Sequence, residues 1–272
     1  MITVRWTGAA GLEITQGETI VLIDPYHSRP GKIECIVGRP EPRTDAIDRY
    51  LEGLPGKVET ILAGHTHIDH VMDIPFLERR LGCRVIGSRS LETLMALHGR
   101  PGVVTVCAGG ERIELTGDTA VTMIRSRHVP LLFGKVPCPG EISPTFHVPM
   151  RASDYRVGDA FILKLEMGGV TLMHAGSASY IESEIEGHHC DILFMAVPGW
   201  GKTPGYCARL PRIVRPRVIV PFHYDDFSAP LREDGRVRLI PFQGMKGFIK
   251  TISRKNPDCE IRTIRPFEAM SF

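Results

Sequence analysis

Apolar and polar residues alternate along this chain in two rhythms. Two-residue periodicity and short unbroken apolar runs predict strands at 2–6, 12–15, 19–23, 58–63, 84–87, 103–107 and 112–115. Further strands are predicted at 120–125, 160–166, 169–173, 191–197, 217–222 and 237–240. Helical spacing falls at 44–52, 74–81, 90–98, 179–187, 205–213 and 244–254, and Ser179 with Glu182 fits a capping box at the fourth of these. Two groups of strands separated by helices give a layered α/β chain; periodicity alone goes no further. Two stretches break the rhythm. Residues 25–43, rich in Pro and Gly, read as a long ordered loop, and residues 129–159 carry eight Pro or Gly with little periodicity. A loop of that length in a compact chain is usually functional or disordered.

At 272 residues the chain can bury a sizeable core, and its 43% hydrophobic and 24% charged content is that of an ordinary globular protein. No apolar run approaches the ~20 residues a membrane-crossing helix needs. The N-terminus enters a strand pattern directly, without the charged and apolar regions of a signal peptide. Seven cysteines, odd in number and without a CxxC pair, predict reduced thiols and a cytoplasmic location rather than a disulfide framework. Net charge is +2, and the densest basic patch (Arg209, Arg212, Arg215, Arg217) reads as a solvated helix and strand edge. The expected partner is a small-molecule substrate, with no nucleic acid and no stable membrane insertion; a homo-oligomer is compatible with the composition.

The chemistry concentrates in His65-Thr66-His67-Ile68-Asp69-His70, which follows a strand-like run ended by Gly64 and precedes a helical pattern. A strand-to-helix turn can splay alternate side chains in two directions, so His65 and His67 can serve one ion while Asp69 and His70 serve a second. Imidazole and carboxylate suit zinc, manganese or iron, and a catalytic ion usually takes about three protein ligands. Six residues cannot complete two such sites, so other ligands must come from far along the chain. Single histidines stand where later apolar runs end: His128 after 121–124 and His223 after 218–222. Gly201-Lys202-Thr203 suggests a phosphate-binding loop, but position 196 is Ala where that motif needs Gly.

With its opening strands, Ile23-Asp24-Pro25, the HTHIDH motif, Asp73, His174-Ala175-Gly176 and Pro221-Phe222-His223, the chain resembles the metallo-β-lactamase superfamily. It is most similar to the small single-domain branch of ascorbate-phosphate lactonase-like and N-acylphosphatidylethanolamine phospholipase-like proteins. The resemblance covers nearly the whole chain. It implies an αββα four-layer sandwich of two mixed β-sheets with outer helices, forming one domain over 1–272. It also implies one or two divalent ions, zinc before manganese or iron, held by His65, His67 and His128 and by Asp69, His70 and His223. The 129–159 loop, leaving directly from His128, is the expected specificity loop, with Leu131, Leu132, Phe133, Phe146 and Val148 ordering it against the body or lining a pocket. The family usually carries a metal-bridging Asp after Ala-Gly; this chain has Ser177, which should weaken the hold on one ion, with helix capping as its other reading. Asp24 and His174 are expected to support the ligands from behind. Lys202, Thr203, Tyr206 and Trp200 are candidates for touching substrate; His27 and His147 could reach the cleft from the two long loops, whereas His98, His188 and His189 suit helix ends.

The reaction implied is metal-assisted hydrolysis of an ester, lactone or phosphodiester bond, with a metal-bound hydroxide as nucleophile and Asp69 orienting it and taking up its proton. Two other classes compete. A non-haem iron oxidoreductase on the same fold is disfavoured by His67, where flavodiiron proteins carry Glu, and by Ser177, where sulfur dioxygenases keep the bridging Asp. A catalytically weakened metal-binding protein has only Ser177 in its support.

Overall fold

The computed structural model describes residues 1–231, 236–240 and 244–272. Its first seven strands are β1 (Thr3–Gly8), β2 (Gly11–Gln16), β3 (Thr19–Ile23), β4 (Lys57–Leu62), β5 (Arg84–Gly87), β6 (Val104–Val106) and β7 (Arg112–Glu114). The remaining strands are β8 (Ala120–Ser126), β9 (Ala160–Met167), β10 (Val170–Ala175), β11 (Ile192–Ala196), β12 (Val218–Phe222), β13 (Glu260–Ile261) and β14 (Ala269–Ser271). The helices are α1 (Lys32–Val37), α2 (Thr44–Glu52), α3 (Ile68–Val71), α4 (Ile74–Leu81), α5 (Arg89–Leu97), α6 (Glu182–Ile185), α7 (Arg209–Val214) and α8 (Met245–Lys255).

Two seven-stranded sheets run in the orders β14-β1-β2-β3-β4-β5-β6 and β13-β12-β11-β10-β9-β8-β7. Both follow one plan. In the first, β14, β1, β2 and β3 pair antiparallel, and β3 to β6 pair parallel. In the second, β7 to β10 pair antiparallel, and β10 to β13 pair parallel. Parallel neighbours need crossovers, and every parallel pair here is joined through a segment containing at least one helix. The ends of these parallel strands are where open α/β sheets build their sites.

The inner faces meet in one apolar core, with Trp6, Leu12, Ile14 and Ile23 of the first sheet packing with Met123, Leu163, Leu172 and Val220 of the second. Outside the first sheet, Ile20, Leu22, Ile61 and Val85 pack with Ile47 of α2, Leu77 of α4 and Leu91 of α5. Leu210, Val214, Phe248 and Ile252 bring α7 and α8 onto the second sheet. Each such side chain, fully buried, contributes about 1.5–3 kcal/mol. The four-layer αββα arrangement of two mixed sheets is therefore the observed one. Among the described residues no helix is long and apolar enough to cross a membrane.

Several elements differ from the sequence expectation. The 179–187 helix shrinks to Glu182–Ile185, and Ile181, not Ser179, precedes it without a side-chain cap. Ser179 is engaged otherwise: its N–H donates to Ser177 O (2.7 Å) and its carbonyl accepts from Ser126 Oγ at the end of β8 (3.3 Å). The helix expected at 205–213 begins only at Arg209 and ends at Arg215 in a left-handed conformation. The 237–240 strand reduces to one antiparallel bridge, Asp225 with Leu239, beside positions 241–243 that lie outside the described residues. The 25–43 loop contains a helix, α1, that buries none of its residues and so carries no apolar periodicity toward a core. His98 does close α5, but His188 and His189 lie beyond the end of α6.

Candidate metal centre

Strand β4 delivers the HTHIDH segment to the sheet's parallel edge, and two backbone bonds hold it there. Phe161 N–H of β9 donates to the Gly64 carbonyl (2.7 Å), and Thr66 N–H donates to Val157 O in the long loop (3.0 Å). His67 is still extended (ψ 157°), whereas Asp69 and His70 lie in the single turn of α3. That change of backbone within three residues separates the side chains into two sets. His128 follows β8, and His223 follows β12 directly with φ +58°, a left-handed conformation that costs a non-glycine residue energy. Strain of this kind, kept at the end of a central strand, is typical of functional positions.

The structure brings all six expected ligands into two groups, His65–His67–His128 and Asp69–His70–His223. Within each group the potential donor atoms lie within 4.8 Å of one another. Three histidines already spend one ring nitrogen on an oxygen. His67 Nε2–H donates to Pro137 O (3.0 Å), His128 Nδ1–H to Val129 O (2.8 Å) and His70 Nδ1–H to Asp24 Oδ2 (2.7 Å). Each bond fixes the tautomer and leaves the other nitrogen with a free lone pair, the arrangement that metal-ligating histidines adopt. His67 Nδ1 faces His65 Nε2 at 3.1 Å, and Asp69 Oδ2 lies 3.4 Å from His223 Nε2 and 3.7 Å from His70 Nε2. The donor set fits a pair of divalent ions.

The electrostatics agree with that fit. Burial pushes His65 well below the ordinary imidazole value, helped by its His neighbours; burial also lowers His67, and it brings His128 down to about 3. Burial alone would raise the Asp69 carboxyl, but His70 and His223 hold it well below the usual carboxylate range. His70 moves the other way: burial opposes its charge, yet Asp24 and Asp69 raise it. Neutral imidazoles and an ionised carboxylate are the forms a metal takes.

Asp24 sits where the sequence reading expected, beneath the motif and fully buried. Besides His70 it accepts from Gly64 N–H (2.6 Å), and its φ of +45° is again left-handed. His174 lies beside it, its Nε2–H donating to Ala10 O (2.8 Å). Gly176 closes over this pair: a Cβ there would fall 2.7 Å from His174 Cε1 and 3.2 Å from Asp24 Oδ2.

The donors open into a cavity of about 310 Å³ whose wall includes Ser177. Ser177 Oγ accepts from Val129 N–H (3.0 Å), so it braces the residue after His128 and caps no helix. Lys202, by contrast, is exposed and absent from the cavity wall; its N–H closes a turn onto Gly199 O (2.8 Å). Thr203 is likewise absent from the wall, Trp200 packs on Phe248 and Tyr206 is buried with its hydroxyl on Ala196 O; Ala196 and Pro198 are the residues of this stretch that line the cavity. His27 stacks on Tyr50 (3.8 Å) beside a different cavity, and His147 is exposed. Of the loop residues expected to order against the body, Leu131 and Phe146 do so, Phe133 is 97% exposed and Val148 is exposed; the Leu132 side chain lies outside the described residues.

Sequence reasoning missed other wall residues, Cys35, Cys138, Tyr155 and Phe227, which no periodicity marks. It also missed two buried polar anchors. Asp73 accepts from the backbone N–H groups of His27 (2.5 Å) and Ser28 (2.8 Å), fixing the 25–43 segment to the helix after the motif. Arg29 pairs with Asp225, which also accepts from Ala9 N–H (3.0 Å). The spacing of Asp73 after the motif was the only signal available for either.

Residues 3–223 match the β-lactamase superfamily domain. A metal-dependent hydrolase from Anaeromyxobacter sp. (strain K) is 32% identical over 237 residues, which is 83% of this chain and 76% of the relative. Among solved structures, Igni18, a metallo hydrolase from Ignicoccus hospitalis, is similar with a TM-score of 0.62 and 14% identity, over 100% of this chain and 99% of that one. CmlA, a diiron β-hydroxylase from Streptomyces venezuelae, gives 0.60 at 13% identity, over 100% of this chain and 54% of that one. At such identities the structural likeness speaks for the fold alone; the sequence matches speak for the family. The chain belongs to the metallo-β-lactamase superfamily and is one of its metal-dependent hydrolases.

Proposed function

We propose that this chain hydrolyses a carboxylic ester, lactone or phosphodiester bond in a small molecule, with zinc held by His65, His67 and His128 and by Asp69, His70 and His223. The observation that carries the reading is the pair of three-residue donor groups, of which His67, His128, Asp69, His70 and His223 line one cavity, with the spare nitrogens of His67, His70 and His128 turned to other acceptors. When bound, a divalent ion supplies an acidified water as nucleophile and polarises the oxygen under attack.

The protein's part is positional. Asp24 keeps His70 in one tautomer, and Val129 O and Pro137 O do the same for His128 and His67. Asp69, held ionised by His70 and His223, is an acceptor that would orient the attacking water and take up its proton. The 129–159 loop supplies Val129, Leu131, Pro137, Cys138 and Tyr155 to the wall, which supports it as the specificity loop of a single domain. The seven cysteines are all free thiols, which supports a reducing compartment such as the cytoplasm.

Metal-free protein reloaded with Zn²⁺, Mn²⁺ or Fe²⁺ and assayed on ester, lactone and phosphodiester panels tests the reading. Turnover that requires metal supports it. Oxygen consumption by the iron form, with no hydrolysis by any form, would replace it with the redox class.

A further inference from the structure

The wall around the donors is largely apolar, with Ser153 and Ser177 as its small hydroxyl residues. Ile68 comes from α3, Val129, Leu131 and Tyr155 from the long loop, Pro198 from the exit of β11, and Phe227 from the segment after His223. Among the described residues Asp69 is the one acidic side chain in it, and no lysine or arginine lines it. The chain places its cations elsewhere: a separate cavity of about 740 Å³ is lined by Arg5, Arg29, Arg43 and Arg49. The apolar wall is also braced. Val129 is bonded to Ser177, and Leu131 N–H donates to Lys135 O (3.0 Å). At Gly199 (φ +74°) a Cβ would fall 2.7 Å from Leu131 Cδ2 and 3.0 Å from Val129 Cγ2, so both side chains rest on bare backbone.

We propose that the substrate carries an uncharged, compact apolar group, a short hydrocarbon or an aromatic ring, next to the scissile bond, seated between Ile68, Val129, Leu131, Tyr155 and Phe227. The hydrolytic reading above supplies the scissile bond; the apolar seat follows from the wall. An anionic substituent there would lose its hydration and meet no cation in return. A cavity of about 310 Å³ sits at the small end of the ~300–1,000 Å³ usual for small-molecule sites, which limits the group to a few carbons or one ring. Each methylene buried there strengthens binding roughly fourfold.

The test is calorimetric binding of hydroxamates to zinc-loaded protein, because these probes ligate metal without being turned over. Acetohydroxamate, hexanohydroxamate and the six-carbon hydroxamate ending in a carboxylate are compared, with Leu131→Lys as the variant and zinc content measured in each sample. Hexanohydroxamate should bind at least tenfold more tightly than either of the others, and Leu131→Lys, at unchanged zinc content, should shift the preference toward the carboxylate probe. A flat ranking, or tighter binding of the carboxylate probe to the wild type, overturns the inference. Should Leu131→Lys fail to fold, Leu131→Ala serves, with loss of the hexanoyl preference expected. If the ranking holds but no ester, lactone or phosphodiester is hydrolysed, the hydrolytic reading fails and the apolar seat stands; if any of them is hydrolysed with a flat ranking, the seat fails alone.

Discussion

Asp24→Asn is the substitution that separates shape from charge beneath the metal cleft. Asn is nearly isosteric and tolerates the left-handed backbone that Asp24 adopts at φ +45°, so strain adds little. What changes is hydrogen bonding. Asp24 receives two donors at once, His70 Nδ1–H at 2.7 Å and Gly64 N–H at 2.6 Å, and it is completely buried. An amide offers one acceptor oxygen and one donor nitrogen, so one of the two donors must face an NH₂ group. Losing a charge-assisted bond costs about 1.5–3 kcal/mol, and a buried donor left without an acceptor costs about 1–3 kcal/mol. The two figures describe one lesion, so the expected loss is about 2 kcal/mol. For a chain of this size that corresponds to a fall in Tm of about 3–4 °C. His70 also loses the partner that fixes its tautomer, and such a loss typically weakens metal binding about 10–100-fold. Urea unfolding of metal-free protein reads the first effect, and zinc titration reads the second. A variant with unchanged unfolding midpoint and unchanged zinc affinity would refute the supporting role given to Asp24.

His67→Ala should abolish tight binding of one ion, read as bound metal per chain after loading and dialysis; an unchanged metal content would remove His67 from the donor set. Ser177→Asp places a carboxylate on the cavity wall where Ser177 Oγ meets Val129 N–H, and it should tighten the weaker of two ions by tenfold or more in calorimetry. Two equally tight ions in the wild type, with no change in the variant, would show that no bridging carboxylate is missing. Arg29→Met leaves Asp225 buried without its cation and should destabilise by about 3–5 kcal/mol in urea, whereas a loss below about 1 kcal/mol would mean the pair is dispensable.

The layered α/β character was legible in the sequence because most strands are five to eight residues long and run from solvent into a two-sided core, which stamps apolar runs on the chain. The strands that escaped notice, β13 and β14, are two and three residues long on sheet edges, too short to bury a pattern. The HTHIDH segment was legible because no packing role calls for four such side chains together; His128 and His223 were found only by combining family resemblance with their place at strand ends. Ser179 shows the limit of local reasoning: it matches a capping motif, yet α6 begins only at Glu182, after Ile181, with no side-chain cap. Lys202 shows another: its neighbour Pro198 turns the chain past the cavity, and only three-dimensional placement tells which residue of that turn faces inward. The wall residues of the 129–159 loop left no periodic trace because a loop meets a cavity at irregular intervals.

The two sheets repeat one plan, and the donor groups straddle the seam between the repeats. His65, His67, Asp69 and His70 leave from the first sheet, whereas His128 and His223 leave from the second. Neither repeat can assemble a three-donor group alone. Filling the site would therefore act as a rivet through the molecule, fastening strand ends whose residues are far apart in sequence. By linkage, an ion present at a hundred times its dissociation constant would add about 2.7 kcal/mol against separation of the halves. Cells short of the metal would then hold a chain that is slack as well as inactive, opening first along this seam and exposed there to proteases.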